Sequence, residues 1–249
     1  MMLTDDRWRD LLHTRATNPG AVRQAYATRK RRSELLSDNG TLFLIAAEAL
    51  GPGDDPFNRR TLLERLLVAL ENPAVDGVLA TPDVVEELLL LGALHDKVVF
   101  GSMNPDGRFT GYDARTLVDC GLDGGELRLS LADPALQTCA DTVTELAAYG
   151  LVALIDLREN SASLAVAVTI ASGLGTTSAH TWLKLPPRCP AAALDATTLP
   201  VVLSGVPSDS SLAHRVVRGL VIGRTLLHPP RGTTRTAVDA AAKALEAAK

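Results

Sequence analysis

Aromatic residues make up only 4% of this 249-residue chain, against 46% hydrophobic residues in all, so its core must be built from Leu, Val, Ile and Ala. Cysteine is scarce. Cys120, Cys139 and Cys189 are odd in number and lack metal-ligand spacing, which suits reduced thiols in the cytoplasm. There is no excess of positive charge: a net charge of −4 removes the electrostatic case for nucleic acid as a partner. No apolar run approaches the length of a membrane span. Asp5, Asp6, Arg7, Arg9 and Asp10 also interrupt the stretch where a secretory signal would carry its apolar region. Interdomain linkers and low-complexity tracts are missing as well. The basic run Arg29–Arg32 is balanced by nearby acids and reads as a solvated helix face. These absences leave a cytoplasmic protein acting on a small molecule, with neither a membrane nor a nucleic acid as partner; a homo-oligomer is expected.

What is present is a repeated strand-then-helix rhythm. Strands are expected at Leu42–Ala47, Gly77–Ala80, Val98–Gly101, Leu127–Leu131, Val152–Asp156, Trp182–Leu185, Val201–Ser204 and Leu220–Gly223. Helical patterns fall between them, at Arg60–Asn72, Val84–Leu91, Leu136–Tyr149 and Leu212–Val217, and a final Ala-rich helix runs from Ala237 to Ala248. Strands alternating with helices build parallel βαβ units. Eight of them in a chain of this length fit a (β/α)8 barrel, the TIM-barrel architecture, better than an open sheet. The expected organisation is one barrel domain over residues 1–249, with a helical segment from about Asp5 to Leu36 covering the bottom and the barrel itself over 41–249.

One lysine stands out. Thr181-Trp182-Leu183-Lys184-Leu185-Pro186 follows a Gly/Ser/Thr-rich stretch and reads as a buried parallel strand. Desolvating an ammonium disfavours its charged form, and a lysine so shifted is nucleophilic enough to form a Schiff base with a carbonyl. The alternative is a lysine at the strand edge that snorkels its amine to water.

Barrel chemistry gathers where strands end and βα loops begin. Those ends offer Glu48, then Thr81 and Asp83, Ser102 and Asn104, Asp133, Asp156 with Arg158, Lys184, Ser204-Gly205 and Gly223-Arg224. Glu48 and Asp156 are equally readable as helix caps, and Asp83, after Pro82, favours a capping role. Asn104-Pro105-Asp106-Gly107 is turn chemistry in its simplest reading. The glycines ending the seventh and eighth strands match loops that hold phosphate through backbone N–H groups, and Arg224 would add a charge-assisted contact. A simple strand-end turn with a surface Arg224 is the alternative.

Several longer motifs carry a resemblance. Phe109–Ala114, Gly121–Gly125, Ser172–Gly175, Ser178–Pro186 and Arg218–Leu227 are similar to an actinobacterial (β/α)8 family. That family is related to class I aldolases of the deoxyribose-phosphate, tagatose-bisphosphate and archaeal-type fructose-bisphosphate group, and its members often accompany myo-inositol catabolism genes. The resemblance implies a Schiff-base role for Lys184, a fifth-strand carboxylate at Asp156, and phosphate contacts from Gly205, Gly223 and Arg224. The chain departs from the family at Ala46-Ala47-Glu48-Ala49, at a shortened loop after Asn104, and at Glu126, where relatives carry a second lysine. A cation near a lysine lowers its pKa, whereas a carboxylate raises it.

The function expected is that of a metal-independent class I aldolase-type carbon–carbon lyase or synthase in carbohydrate metabolism, needing no cofactor. Its substrate is expected to be a small phosphorylated carbonyl compound. Lys184, Asp156, Glu48 and Glu126 form the expected catalytic set. Ser204, Gly205, Gly223, Arg224, Ser102 and Asn104 form the expected substrate and phosphate set. Two alternatives stand beside it: a barrel repurposed for condensation or dehydration through an imine, and a degenerate barrel that only binds a metabolite.

Overall fold

A computed structural model describes residues 2–47, 58–104, 111–129, 136–158, 163–207 and 210–248. Eight parallel strands close into a barrel in sequence order, each paired with the next and β8 paired back to β1. They are β1 (Leu42–Ala47), β2 (Gly77–Ala80), β3 (Val98–Ser102), β4 (Gly124–Leu129), β5 (Val152–Leu157), β6 (Thr181–Leu185), β7 (Val201–Leu203) and β8 (Val217–Ile222). The helices are α1 (Asp5–Thr17), α2 (Gly20–Thr28), α3 (Arg59–Leu70), α4 (Pro82–Leu90), α5 (Ala114–Asp119), α6 (Leu136–Ala148), α7 (Leu164–Ser172), α8 (Ala191–Asp195), α9 (Arg224–Leu227) and α10 (Thr234–Ala247). This is the TIM-barrel architecture expected from the sequence.

Successive side chains on a strand point to opposite faces, so each strand divides its residues between two cores. Phe43, Ile45, Val99, Leu127, Ile155, Leu183 and Leu203 face outward and pack under the helices. Leu42, Leu44, Phe100, Leu154, Trp182 and Val202 face inward and fill the barrel. Alternation from Leu154 and Trp182 sends Asp156 and Lys184 inward as well, one layer nearer the C-terminal ends of the strands. That layer is charged while those beneath it are apolar.

Two strands start three residues earlier than the sequence reading, and β6 starts one earlier, at Thr181. β4 begins at Gly124 rather than Leu127, and β8 begins at Val217 rather than Leu220. The helix expected over Leu212–Val217 is a short 3-10 turn at Ser210–Ala213, which ends before the strand begins.

The N-terminal segment also differs. Helix stops at Thr28, and Arg29–Leu36 runs as an irregular strap rather than as a helix face. Its basic side chains divide: Lys30 and Arg31 are exposed, whereas Arg29 and Arg32 are turned onto the barrel. Arg29 is buried, and its guanidinium donates to the carbonyls of Lys97 (2.9 Å) and Gly121 (2.5 Å) and approaches Asp123 Oδ2 at 3.4 Å. Arg31 reaches the other oxygen of Asp123 at 3.1 Å, and Arg32 donates to Asp76 Oδ1 at 2.5 Å. Those two aspartates precede β2 and β4 and accept the N–H groups of Phe43 (2.7 Å) and Val99 (2.8 Å). The strap therefore ties the N-terminal ends of β1 to β4 together. Leu35 and Leu36 pack against the interior layer and cover its lower end, while α2 packs alongside α4 on the outside. Among the described residues no helix is long and apolar enough to cross a membrane.

Candidate active site

The charged layer is centred on Lys184. The residue is only 2% exposed, in a strand whose five residues are all buried. Nζ donates to Glu126 Oε1 at 2.5 Å and lies 3.4 Å from Asp156 Oδ2. The register explains the convergence: Asp156 pairs with Lys184 across β5 and β6, and Arg128 pairs with Asp156 across β4 and β5. Glu126 lies two residues below Arg128 on the same face of β4, and its other oxygen accepts from Ser102 Oγ at 3.1 Å. The lysine does not snorkel. It is enclosed, and a buried ammonium is tolerable only when paired in this way.

Asp156 receives cations from three sides. Arg158 Nε donates to its Oδ2 at 2.8 Å, and Arg128 Nε stands 3.6 Å from the same atom. Burial by itself would raise the carboxyl pKa, but Lys184, Arg158 and Arg128 together outweigh it and hold Asp156 below the usual carboxylate range. Asp156 is thus an ionised counter-charge, poorly suited to carrying a proton near neutrality.

Asn104, just beyond β3, binds the Arg128 backbone from both ends of its amide. Its Nδ2 donates to the Arg128 carbonyl at 2.9 Å and its Oδ1 accepts the Arg128 N–H at 2.7 Å. Ser102 and Asn104 therefore act on Glu126 and Arg128. Arg128 itself was missed by sequence reasoning, although alternation along Gly124-Gly125-Glu126-Leu127-Arg128-Leu129 places it inward with Glu126.

The residues expected from the sequence to hold an anion lie at the same end of the barrel. Ser204 extends the β6–β7 ladder by donating its N–H to Leu185 at 2.8 Å. Gly205 and Gly223 follow β7 and β8, and Arg224 is an exposed residue opening the four-residue α9. Gly223 has a packing cause of its own: an added Cβ would lie 2.7 Å from the Ala46 carbonyl oxygen, at the seam where β8 meets β1. At Gly205 a Cβ would meet the Pro187 ring at 3.3 Å. Thr81 is the N-cap residue of α4 without a side-chain cap hydrogen bond; its hydroxyl donates to Asp83 Oδ1 at 2.6 Å, and Asp83, in the first turn, pairs with Arg59. Glu48 and Asp133 lie outside the described residues. Among the described residues no group of three His, Cys, Asp or Glu side chains is placed to hold a metal ion.

Comparison with known proteins follows the same lines. The Cgl0159-like family model matches residues 40–242. The crystal structure of Cgl0159 from Corynebacterium glutamicum (Brevibacterium flavum) is 35% identical, with a TM-score of 0.88 over 98% of each chain. An archaeal fructose 1,6-bisphosphate aldolase is 15% identical, with a TM-score of 0.65 over 91% of this chain and 99% of its own. A further archaeal fructose-1,6-bisphosphate aldolase structure, with its catalytic Lys bound to the carbinolamine intermediate, has a TM-score of 0.62 at 15% identity, over 90% of this chain and 99% of its own. At such identities the aldolases share the fold. No curated protein sequence matches the chain significantly. With most of its length matched by the family model and one relative aligned from end to end, the chain belongs to the Cgl0159-like family.

Proposed function

We propose that the protein is a class I aldolase-type carbon–carbon lyase or synthase, with Lys184 as its Schiff-base residue. The observation that carries this reading is the enclosed lysine at the C-terminal end of β6, with carboxylate oxygens at 2.5 and 3.4 Å and no exposure to speak of. A stabilising core residue at that depth would be apolar, since a buried ion pair rarely outperforms the hydrophobic residues that could replace it.

Glu126 supplies the first proton acceptor. Lys184 passes a proton across the short contact to Glu126, and the neutral amine attacks the substrate carbonyl. The resulting carbinolamine loses water to give an iminium, which receives the electron pair when the neighbouring carbon–carbon bond breaks. Asp156, held ionised, balances the iminium charge. Glu48 is the second carboxylate proposed for proton transfer to the substrate hydroxyl. Ser204, Gly205, Gly223 and Arg224 anchor an anionic group of a small carbonyl substrate away from the reacting carbon. A second reading keeps the imine but ends in dehydration; the replacement of a second lysine by Glu126 favours it, because a carboxylate is able to remove a proton beside the iminium.

Iminium formation expels the original carbonyl oxygen. The wild-type protein should therefore exchange the oxygen of a bound ketone with isotopically labelled water, and Lys184→Met should fall to the rate in buffer. Equal exchange by the two proteins would remove the reading.

A further inference from the structure

We propose that the outward face of α7 docks on the α7 of a second copy of the chain, the side-chain ridge of each helix seated in the groove of the other about a two-fold axis. The proposal concerns the flank of the barrel and is independent of the reaction assigned to Lys184.

The first observation is charge. Residues 161–200 hold three charged residues in forty positions, Lys184, Arg188 and Asp195, where 22% of the whole chain is charged. Lys184 lies inside the barrel, and Asp195 is engaged with His214 at 3.1 Å. The segment contains α7, β6 and α8, so its outer surface is one flank of the molecule. Helices elsewhere cover their outer faces with charge: Arg9 pairs with Asp6 on α1, Arg60 with Glu64 on α3 and Arg115 with Asp119 on α5. α7, Leu164-Ala165-Val166-Ala167-Val168-Thr169-Ile170-Ala171-Ser172, has no charged residue at all. A helix that is apolar on every side is one that is covered on every side.

The second observation is shape. Leu164, Ala167, Val168 and Ala171 are buried against the barrel. On the opposite side Val166 is 56% exposed and Ile170 39%. Standing four residues apart, these two form one ridge along the helix. Ala165, Thr169 and Gly173 make the next row at the same spacing, and it is a groove because all three are small. Ridge and groove lie side by side on one helix, so a two-fold rotation brings the ridge of each copy into the groove of the other. Interlocking of such rows is the commonest packing of helices, with axes crossing at about 50°.

The occupant follows from the polar groups. The Thr169 hydroxyl donates to the Ala165 carbonyl at 3.0 Å. That of Ser172 donates to the Val168 carbonyl at 2.8 Å and stands 2.9 Å from Thr197 Oγ1. Burying the face therefore leaves no hydroxyl in want of a partner. Close to a two-fold axis each residue meets its own duplicate, which a charged residue resists and a neutral one accepts. A foreign protein is selected through complementary charge, and this face offers none. One helix is too small for a stable dimer, which takes about 800 Å² from each partner. The patch extends toward that size through α8, packed beside α7 with Ala191 and Ala192 exposed, and through residues 173–180, where Thr176 and Thr177 are exposed.

The test is sedimentation velocity of the full chain at about 50 µM, enough to fill a dimer of micromolar dissociation constant. Wild type should sediment with twice the 26.3 kDa mass of one chain. Val166→Glu/Ile170→Glu charges the ridge, and Thr169→Arg charges the groove. Each should raise the dissociation constant by about a hundredfold or more and sediment as a monomer. Val118→Glu, at an exposed residue of α5, should leave the dimer intact. In an equimolar mixture of the ridge and groove variants the glutamates of one meet the arginine of the other, so dimer should reappear. Should a variant fail to fold, amide exchange of wild type decides: the α7 peptide should exchange about threefold or more faster at about 0.5 µM than at about 50 µM, with the α5 peptide unchanged. A wild type monomeric at about 50 µM would overturn the proposal and leave the face to a different protein. A dimer that survives both variants, a mixture that stays monomeric, or α7 exchange indifferent to concentration would overturn it as well.

Discussion

The ammonium nitrogen of Lys184 lies 2.5 Å from Glu126 Oε1 inside the barrel, and neither side chain is more than 3% exposed. The contact has two opposed consequences. A carboxylate this close favours the charged lysine, which cannot attack a carbonyl. Among the described residues it is also the nearest group able to take the proton that the proposed attack requires to leave. Resting state and reaction therefore place different demands on one contact.

Substituting Glu126 separates those demands. Glu126→Gln removes a negative charge from beside the ammonium, so the lysine pKa falls and more neutral amine is present near pH 7. Trapping of a ketone at Lys184 should then become several-fold faster, with its pH dependence moved to lower pH. Complete turnover, which needs the proton returned, should slow by about tenfold or more. Parallel changes in trapping and turnover would show that Glu126 does not relay the proton.

Asp156 gives a pH signature in stability. Its folded pKa is depressed below the ordinary 3.8. The stability it contributes is fully present above that value and is lost as pH falls through the lower folded pKa. Wild type should therefore exceed Asp156→Asn in urea-unfolding free energy near neutrality, and the gap should narrow below about pH 4. A gap that does not change with pH would mean that packing, not charge, makes the difference.

Arg224 offers a separate check on the proposed anion subsite. A point charge replaces a bidentate guanidinium poorly. Arg224→Lys should weaken a phosphorylated ligand more than its unphosphorylated analogue, by about 1–3 kcal/mol. Equal weakening, measured by calorimetry, would make Arg224 structural.

At the opposite end of the barrel, Arg29→Ala should cost about 2–4 kcal/mol of stability, because it strips a buried donor from two carbonyls and leaves Asp123 short of a partner. Denaturant unfolding measures it. Ketone trapping at Lys184 should not change in the folded variant; a large change would show that the strap reaches the site.

Much of this molecule is legible in its sequence, and the failures share physical causes. The strand-and-helix rhythm survives because apolar runs and turn residues carry it directly. The starts of β4 and β8 hold Gly124 and Gly219, which interrupt the apolar run that marks a strand. They are glycines because the strands crowd there: a Cβ would lie 2.5 Å from the Val152 carbonyl oxygen in one case and 1.8 Å from that of Leu42 in the other. Missing the start of β4 also hid the alternation that turns Arg128 inward. The basic strap was misread at Arg29 and Arg32 because charge content suggests solvation, whereas these two reach carbonyls and carboxylates 44 to 94 residues away. Lys184 and Glu126 were legible as a pair only through the resemblance, since nothing in their spacing brings them together. Asp156 was legible as a carboxylate at the site, but its ionised state depends on two guanidinia that sequence alone does not aim at it.

The most direct measurement is the mass of the peptide containing Lys184 after borohydride reduction in the presence of a small 2-oxo acid or sugar phosphate. A stable adduct on that peptide, equal in mass to the reduced imine and missing in Lys184→Met, is the expected result. An adduct on a different lysine, or full activity of Lys184→Met on an identified substrate, would contradict a Schiff-base role for Lys184.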